Sequence, residues 1–286
     1  MTLKARTAAS VAVPGMARAG TALAGLLLLA GLLLLAGLLL LVGVSGALAA
    51  KAAGLTPGRL SHAWSAAALA PNGNERVGCA ENLAARLAST GQARQLVTVE
   101  ASGAAERVAA VEMWRRAGGC WEAAGGPWSA LIGRTGFSDH HREGDGTTPT
   151  GIYGIGPEMY GNSPNPGTKY LYHRLVCGDW WDEDPTSARY NTFQHVACGQ
   201  SPAFGGASEA LWTETSAYPS FAVIEYNTHP VIAYAGSAIF VHAEYGEPTS
   251  GCVALPLAPL DTVLRWLVPS LRPAIVMGPA AEITRF

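Results

Sequence analysis

Two side chains late in the chain have the chemistry of a nucleophile and its base. The segment from Gly236 to Leu255, GSAIFVHAEYGEPTSGCVAL, carries an apolar run (Ala238, Ile239, Phe240, Val241) that ends at His242. Ten positions later, directly after Thr249, Ser250 and Gly251, stands Cys252. A short buried strand would deliver the imidazole, and a glycine-tight turn would deliver the thiol. An imidazole beside a thiol raises the fraction of thiolate, the form that attacks carbonyls.

The compartment decides how the five cysteines are read, Cys79, Cys120, Cys177, Cys198 and Cys252. Lys4, Arg6 and Arg18 precede a stretch from Ala19 to Ala50 with no charge, rich in Leu and Ala and ending near Ala47-Leu48-Ala49. A positive flank, an apolar run and a small-residue exit have the layout of a secretory signal, yet the run is long enough to span a bilayer. Residues 1–50 are therefore either a cleaved signal peptide or an uncleaved membrane anchor, and in both cases the rest of the chain is exported. Exported cysteines pair. Cys177 and Cys198 bracket one compact segment that reads as an ordered loop, where a bridge would contribute about 3 kcal/mol. Cys79 and Cys120 are then the natural second pair, although four cysteines permit three connectivities. The odd cysteine left over is Cys252.

The remaining composition describes an ordinary folded domain. Net charge is −2, and Lys4, Lys51 and Lys169 are the only lysines, which excludes a nucleic-acid footprint. No Cys-x-x-Cys or closely spaced Cys/His set is present, so no metal site is expected, and no organic cofactor motif occurs. Thirty-four glycines and eighteen prolines imply many turns and a β-rich architecture.

The elements that must position His242 and Cys252 follow from periodicity. Residues 51–94 read as a linker followed by a short helix-prone stretch, CAENLAARLAST. From Gln95 the pattern QLVTVEA alternates as a strand, Arg107 to Arg116 forms a second, and further strands are predicted at WSALIG, GIYGIG, FAVIEYN and AIFVH. LDTVLRWLV is the one convincing helix, with Leu260, Val263, Leu264 and Leu267 on one stripe. The predicted class is mainly β, a sandwich or open barrel with few short helices, preceded by one N-terminal hydrophobic segment.

These motifs together resemble the exported L,D-transpeptidase catalytic-domain (YkuD-like) family. The likeness rests on the strand ending in His242, on the turn Thr249-Ser250-Gly251-Cys252-Val253-Ala254-Leu255, and on Thr148-Pro149-Thr150-Gly151-Ile152-Tyr153 upstream. It spans about residues 95–280, the expected catalytic domain. Two positions depart from the family pattern: its His before the Gly is Ser250 here, and its Arg two after the Cys is Ala254. Arg174 or Arg142 are candidates for a replacement anchor.

The resemblance implies a cysteine transpeptidase without cofactor that cross-links peptidoglycan stem peptides through a thioester. Cys252 would be the nucleophile and His242 its base, oriented by the carbonyl of Ala243. The amides of Gly251 and Cys252 would hold the oxyanion. Thr249 and Ser250 would contact substrate. Water in place of an acceptor amine would make the protein an L,D-carboxypeptidase, and loss of activity would leave a wall-binding module. The expected location is the outer face of the cell, secreted or tethered to the membrane by the N-terminal segment.

Other residues are weaker candidates. Trp180 and Trp181 suit a substrate lid or a core, and Tyr153 a cleft lining or a sheet. His140 and His141 are expected in a solvated polar loop, and His173 and His195 as structural hydrogen-bonding groups.

Overall fold

The structure is a computed structural model and describes residues 78–286. The apolar segment 1–50 and most of the linker lie outside the described residues. Among the described residues no helix is long and apolar enough to cross a membrane.

The chain enters through a helix of one turn, α1 (Leu83–Arg86), capped by the Asn82 side chain, which accepts the Ala85 amide at 2.9 Å. The helix-prone pattern runs further than the helix. Beyond it the amides of Ala88 and Ser89 turn instead to the carbonyls of Thr284 and Phe286, so tertiary pairing wins over local propensity.

The strands follow as β1 (Gln95–Ala101), β2 (Val108–Ala117), β3 (Cys120–Leu131), β4 (Phe137–Ser138), β5 (Thr148–Pro149), β6 (Gly151–Gly161) and β7 (Leu171–Arg174). Then come β8 (Asp179–Asp182), β9 (Thr192–His195), β10 (Glu209–Ala210), β11 (Phe221–Ile224), β12 (Phe240–Ala243) and β13 (Val253–Leu255). Helix α2 (Leu257–Trp266) and the last strand, β14 (Ala274–Pro279), complete the order. The molecule is mainly β, as its periodicity predicts.

One nine-stranded mixed sheet dominates, in the order β11-β12-β13-β3-β2-β1-β14-β6-β7. A further pairing of β11 with β6 joins the start of that order to its far side, so the sheet curls round on itself. Strand β1 lies between β2 and β14 and is buried on both faces rather than on one. Val97 and Val99 point into the main core; Leu96 packs on the other face against Leu83, Leu87 and Ile283. Leu260, Val263 and Leu264 of α2, with Leu267 at its C-cap, are buried in that main core, each side chain worth roughly 1.5–3 kcal/mol.

Bridges join Cys79 to Cys120 and Cys177 to Cys198, and Cys252 is a free, buried thiol. The segment within the second bridge is more ordered than a loop. It holds β8 and β9 of a three-stranded sheet with β10. Asp179 anchors it, fully buried, accepting from His173 Nε2 at 2.8 Å and His195 Nδ1 at 2.7 Å, so both histidines are structural.

Candidate active site

Strands β12 and β13 run parallel, with His242 opposite Ala254. Residues two apart share a face of a strand, so Cys252, just before β13, projects from the same side as Ala254 and as His242. Both side chains line one cavity of about 750 Å³, a volume typical of small-ligand sites.

The His242 ring is buried, with 3% exposure, and its Nδ1–H donates to the Ala243 carbonyl at 2.8 Å. That bond fixes the tautomer and leaves Nε2 as the nitrogen able to take a proton. Burial lowers the imidazole's pKa to about 4, so the ring is neutral near pH 7. The thiol of Cys252 donates to the Ala238 carbonyl at 3.1 Å and accepts the Phe240 amide at 3.4 Å. Burial pushes its pKa well up, and the charge of Glu209 adds to the effect. The resting pair is thus neutral thiol and neutral imidazole, not the thiolate–imidazolium pair that proximity suggests. Burial disfavours the charged form of each group and outweighs their mutual attraction.

The turn before the thiol is tied down from two sides. Thr249 is buried; its hydroxyl donates to the Cys252 carbonyl at 2.7 Å and accepts the Gly251 amide at 3.1 Å. The Gly251 amide, expected to face an oxyanion, is therefore occupied within the turn. Thr148 supplies the second tie. Fully buried, its hydroxyl accepts the Gly133 amide at 2.8 Å and donates to the Gly251 carbonyl at 2.8 Å. Gly251 itself has φ +154°, and a Cβ there would stand 2.8 Å from Ile239 Cδ1 and 2.9 Å from the Thr147 carbonyl. Only glycine fits.

Three groups reach this cavity that local sequence did not suggest. Arg134 donates to Ser250 Oγ at 2.8 Å and to the Gly144 carbonyl at 3.1 Å, while its own amide binds the Thr249 carbonyl at 2.8 Å. Neither Arg142 nor Arg174 lines the cavity; Arg134 does. Ala254 pairs with Leu131, and that register carries Arg134, just beyond the end of β3, to the cysteine turn. Ala254 is fully buried between Leu131 and His242, a place with no room for a long cationic side chain.

His141 is the second. It is buried rather than solvated, its Nδ1 lying 3.0 Å from Thr147 Oγ1 and 3.1 Å from Asp145 Oδ1. Its ring packs beside Gly236 and Gly251, so the polar segment SDHHREGDG forms a wall of the cavity. Burial lowers the His141 pKa against the pull of Asp145 and Glu143.

The third group is a set of carboxylates, Glu143, Glu183, Glu209 and Glu214, all lining the cavity. Burial raises the pKa of Glu183 and of Glu209, and the charge of Glu209 raises that of Glu183 further.

The aromatic candidates lie elsewhere. Trp181 is a core residue, its ring centroid 4.9 Å from that of Phe240 and its indole N–H on Asn191 Oδ1 at 3.0 Å. Trp180 packs on Phe204 and Trp212. Tyr153 donates to the Thr150 carbonyl and packs edge-on to Tyr226. None of the three lines the cavity of Cys252. All three rings pack against other aromatics, the alternative that the sequence offered beside a lid or a cleft lining.

A family model for the L,D-transpeptidase catalytic domain (YkuD) matches residues 109–276. No curated protein and no solved structure matches the chain.

Proposed function

The chain belongs to the L,D-transpeptidase catalytic-domain (YkuD) family, whose members act on peptidoglycan, and from that premise we propose that it is a cysteine acyltransferase that cross-links stem peptides on the outer face of the cell. One observation carries the reading: the free cysteine shares a cavity with a histidine whose second nitrogen is held by a backbone carbonyl. The two disulfides fit export.

In this reading the donor peptide enters the cavity and its carbonyl comes to rest against Cys252 Sγ. His242 Nε2 takes the thiol proton as sulfur attacks, so a neutral pair becomes charged only when an oxyanion is forming. The Cys252 amide holds that oxyanion, a task worth about 3 to 4 kcal/mol in comparable sites. Collapse of the intermediate breaks the C–N bond, and the leaving amine receives the proton from His242. A thioester on Cys252 remains, and an acceptor amine resolves it. Arg134, the cation nearest the turn, takes the anchoring role that Ala254 cannot fill.

The test is covalent. A carbapenem is expected to acylate Cys252, and intact-mass spectrometry of the full chain should show one adduct that is absent in Cys252→Ala. Folded protein with no adduct would refute the enzymatic reading and favour a wall-binding module.

A further inference from the structure

The acylation half of that scheme gives no task to the carboxylates in the thiol's own cavity. Glu183 is 8% exposed, and its Oε1 has no hydrogen-bond partner. Its backbone amide is tied to Ser208 Oγ at 3.0 Å, which holds it beside Glu209. Glu209 accepts the hydroxyl of Tyr218. A buried carboxylate oxygen with no donor costs several kcal/mol, so a fold that keeps one inside a cavity wall leaves a place for a donor from outside.

Neighbouring donors in the cavity are directed elsewhere. The hydroxyls of Tyr190 and Ser237 serve Glu143, and the Arg134 guanidinium is turned to Ser250 and the Gly144 carbonyl, with N–H groups left over for a substrate but none on Glu183 or Glu209. Among the described residues neither Glu183 nor Glu209 takes part in an ion pair, and no group of three or more His, Cys, Asp or Glu side chains is arranged to hold a metal ion. A small organic cation fits such a pair better than a metal does. The pair lines the same cavity as the sulfur. Any amine that attacks a thioester on Cys252 must come within bonding distance of the carbonyl attached to that sulfur, and so must enter the cavity that this pair lines.

We propose that Glu183 and Glu209 form the receptor for the acceptor's primary ammonium group, and that they select an amine over water to resolve the thioester. The inference rests on the acyltransferase reading above. The ammonium gives one proton to the carboxylate pair and becomes a neutral amine. Its nitrogen lone pair attacks the thioester carbon, a C–N bond forms and the C–S bond breaks. The proton lost by the attacking nitrogen passes through His242 to the departing sulfur, which restores the thiol. A pair of carboxylates whose proton affinity is raised by burial is matched to this exchange, because a free amine titrates near 10.4 and an ordinary carboxylate near 4.3.

The experiment reads binding without chemistry. The full chain carrying Cys252→Ala, held in detergent, is titrated by calorimetry with Nα-acetyl-lysine amide and with Nα-acetyl-6-hydroxynorleucine amide, in which a hydroxyl replaces the ammonium. The lysine probe is expected to bind at least tenfold more tightly. Glu183→Gln with Glu209→Gln should cut that preference to within twofold. Equal affinity for the two probes, or a preference that survives both substitutions, would overturn the proposal. The comparison of probes needs no carboxylate variant, so it stands even where the double variant fails to fold. Carbapenem acylation without an ammonium preference would sink the amine receptor alone; a preference without acylation would sink the acyltransferase reading alone.

Discussion

Removing the Thr148 hydroxyl tests whether the cysteine turn is held by the segment far upstream of it. Thr148 is fully buried, and its Oγ1 stands between the Gly133 amide and the Gly251 carbonyl, 2.8 Å from each. Thr148→Val keeps the shape of the side chain and removes both bonds. Two buried backbone groups are then left unpaired, at about 1–3 kcal/mol each, for a loss of roughly 2–6 kcal/mol. That is a large share of the ~5–15 kcal/mol typical of a native domain. Thr148→Ser keeps the hydroxyl and loses one methyl, costing about 1 kcal/mol. Urea unfolding followed by tryptophan fluorescence, disulfides intact, separates the two variants. The Gly251 carbonyl belongs to the residue before Cys252, so under the proposed function Thr148→Val should also slow carbapenem acylation at least tenfold while Thr148→Ser stays near the parent. Equal losses in the two variants, or a Val variant within 1 kcal/mol of the parent that acylates at the parent's rate, would refute the reasoning.

Three further outcomes are expected. Gly251→Ala places a Cβ 2.8 Å from Ile239 Cδ1 at a φ of +154°, and should cost about 1–3 kcal/mol or more in thermal unfolding while displacing the thiol enough to lower the adduct yield. His242 is held neutral by burial, its pKa lowered from 6.5 to about 4, so the unfolded chain binds the extra proton between those values. Stability from this group is complete above pH 6.5 and is lost as pH falls toward 4, by about 3 kcal/mol in total, a slope that His242→Gln should flatten in urea titrations across that window. Arg134→Gln removes an exposed cation and should change stability by less than about 1 kcal/mol, yet slow acylation by a carboxylate-bearing carbapenem several-fold, as stopped-flow absorbance would report.

Much of the scaffold was legible along the chain. The strand beginning at Gln95 and the stripe of α2 follow from periodicity, because side-chain period is local. The pattern AIFVH placed His242 in a strand, β12, and the odd cysteine in an exported chain singled out Cys252 by covalent arithmetic alone. Periodicity overran at α1, where the bonds of Ala88 and Ser89 to the C-terminal carbonyls override a helix-prone sequence. Thr148 lay within the motif that suggested the family, but its purpose is visible only once Gly133 and Gly251 stand on either side of it. Arg134 and the Glu183–Glu209 pair carried no local signal, His141 read only as part of a polar loop, and for Trp180, Trp181 and Tyr153 the sequence left packing and a place at the site both open. Their positions are set by which strands pair and in what register, a sum over contacts far apart in the chain. The sequence by itself therefore singled out Cys252 and His242 and determined the kind of scaffold. Only the tertiary structure decided what surrounds the thiol, because a cavity wall is made by long-range pairing and its charge balance by the desolvation that such pairing imposes.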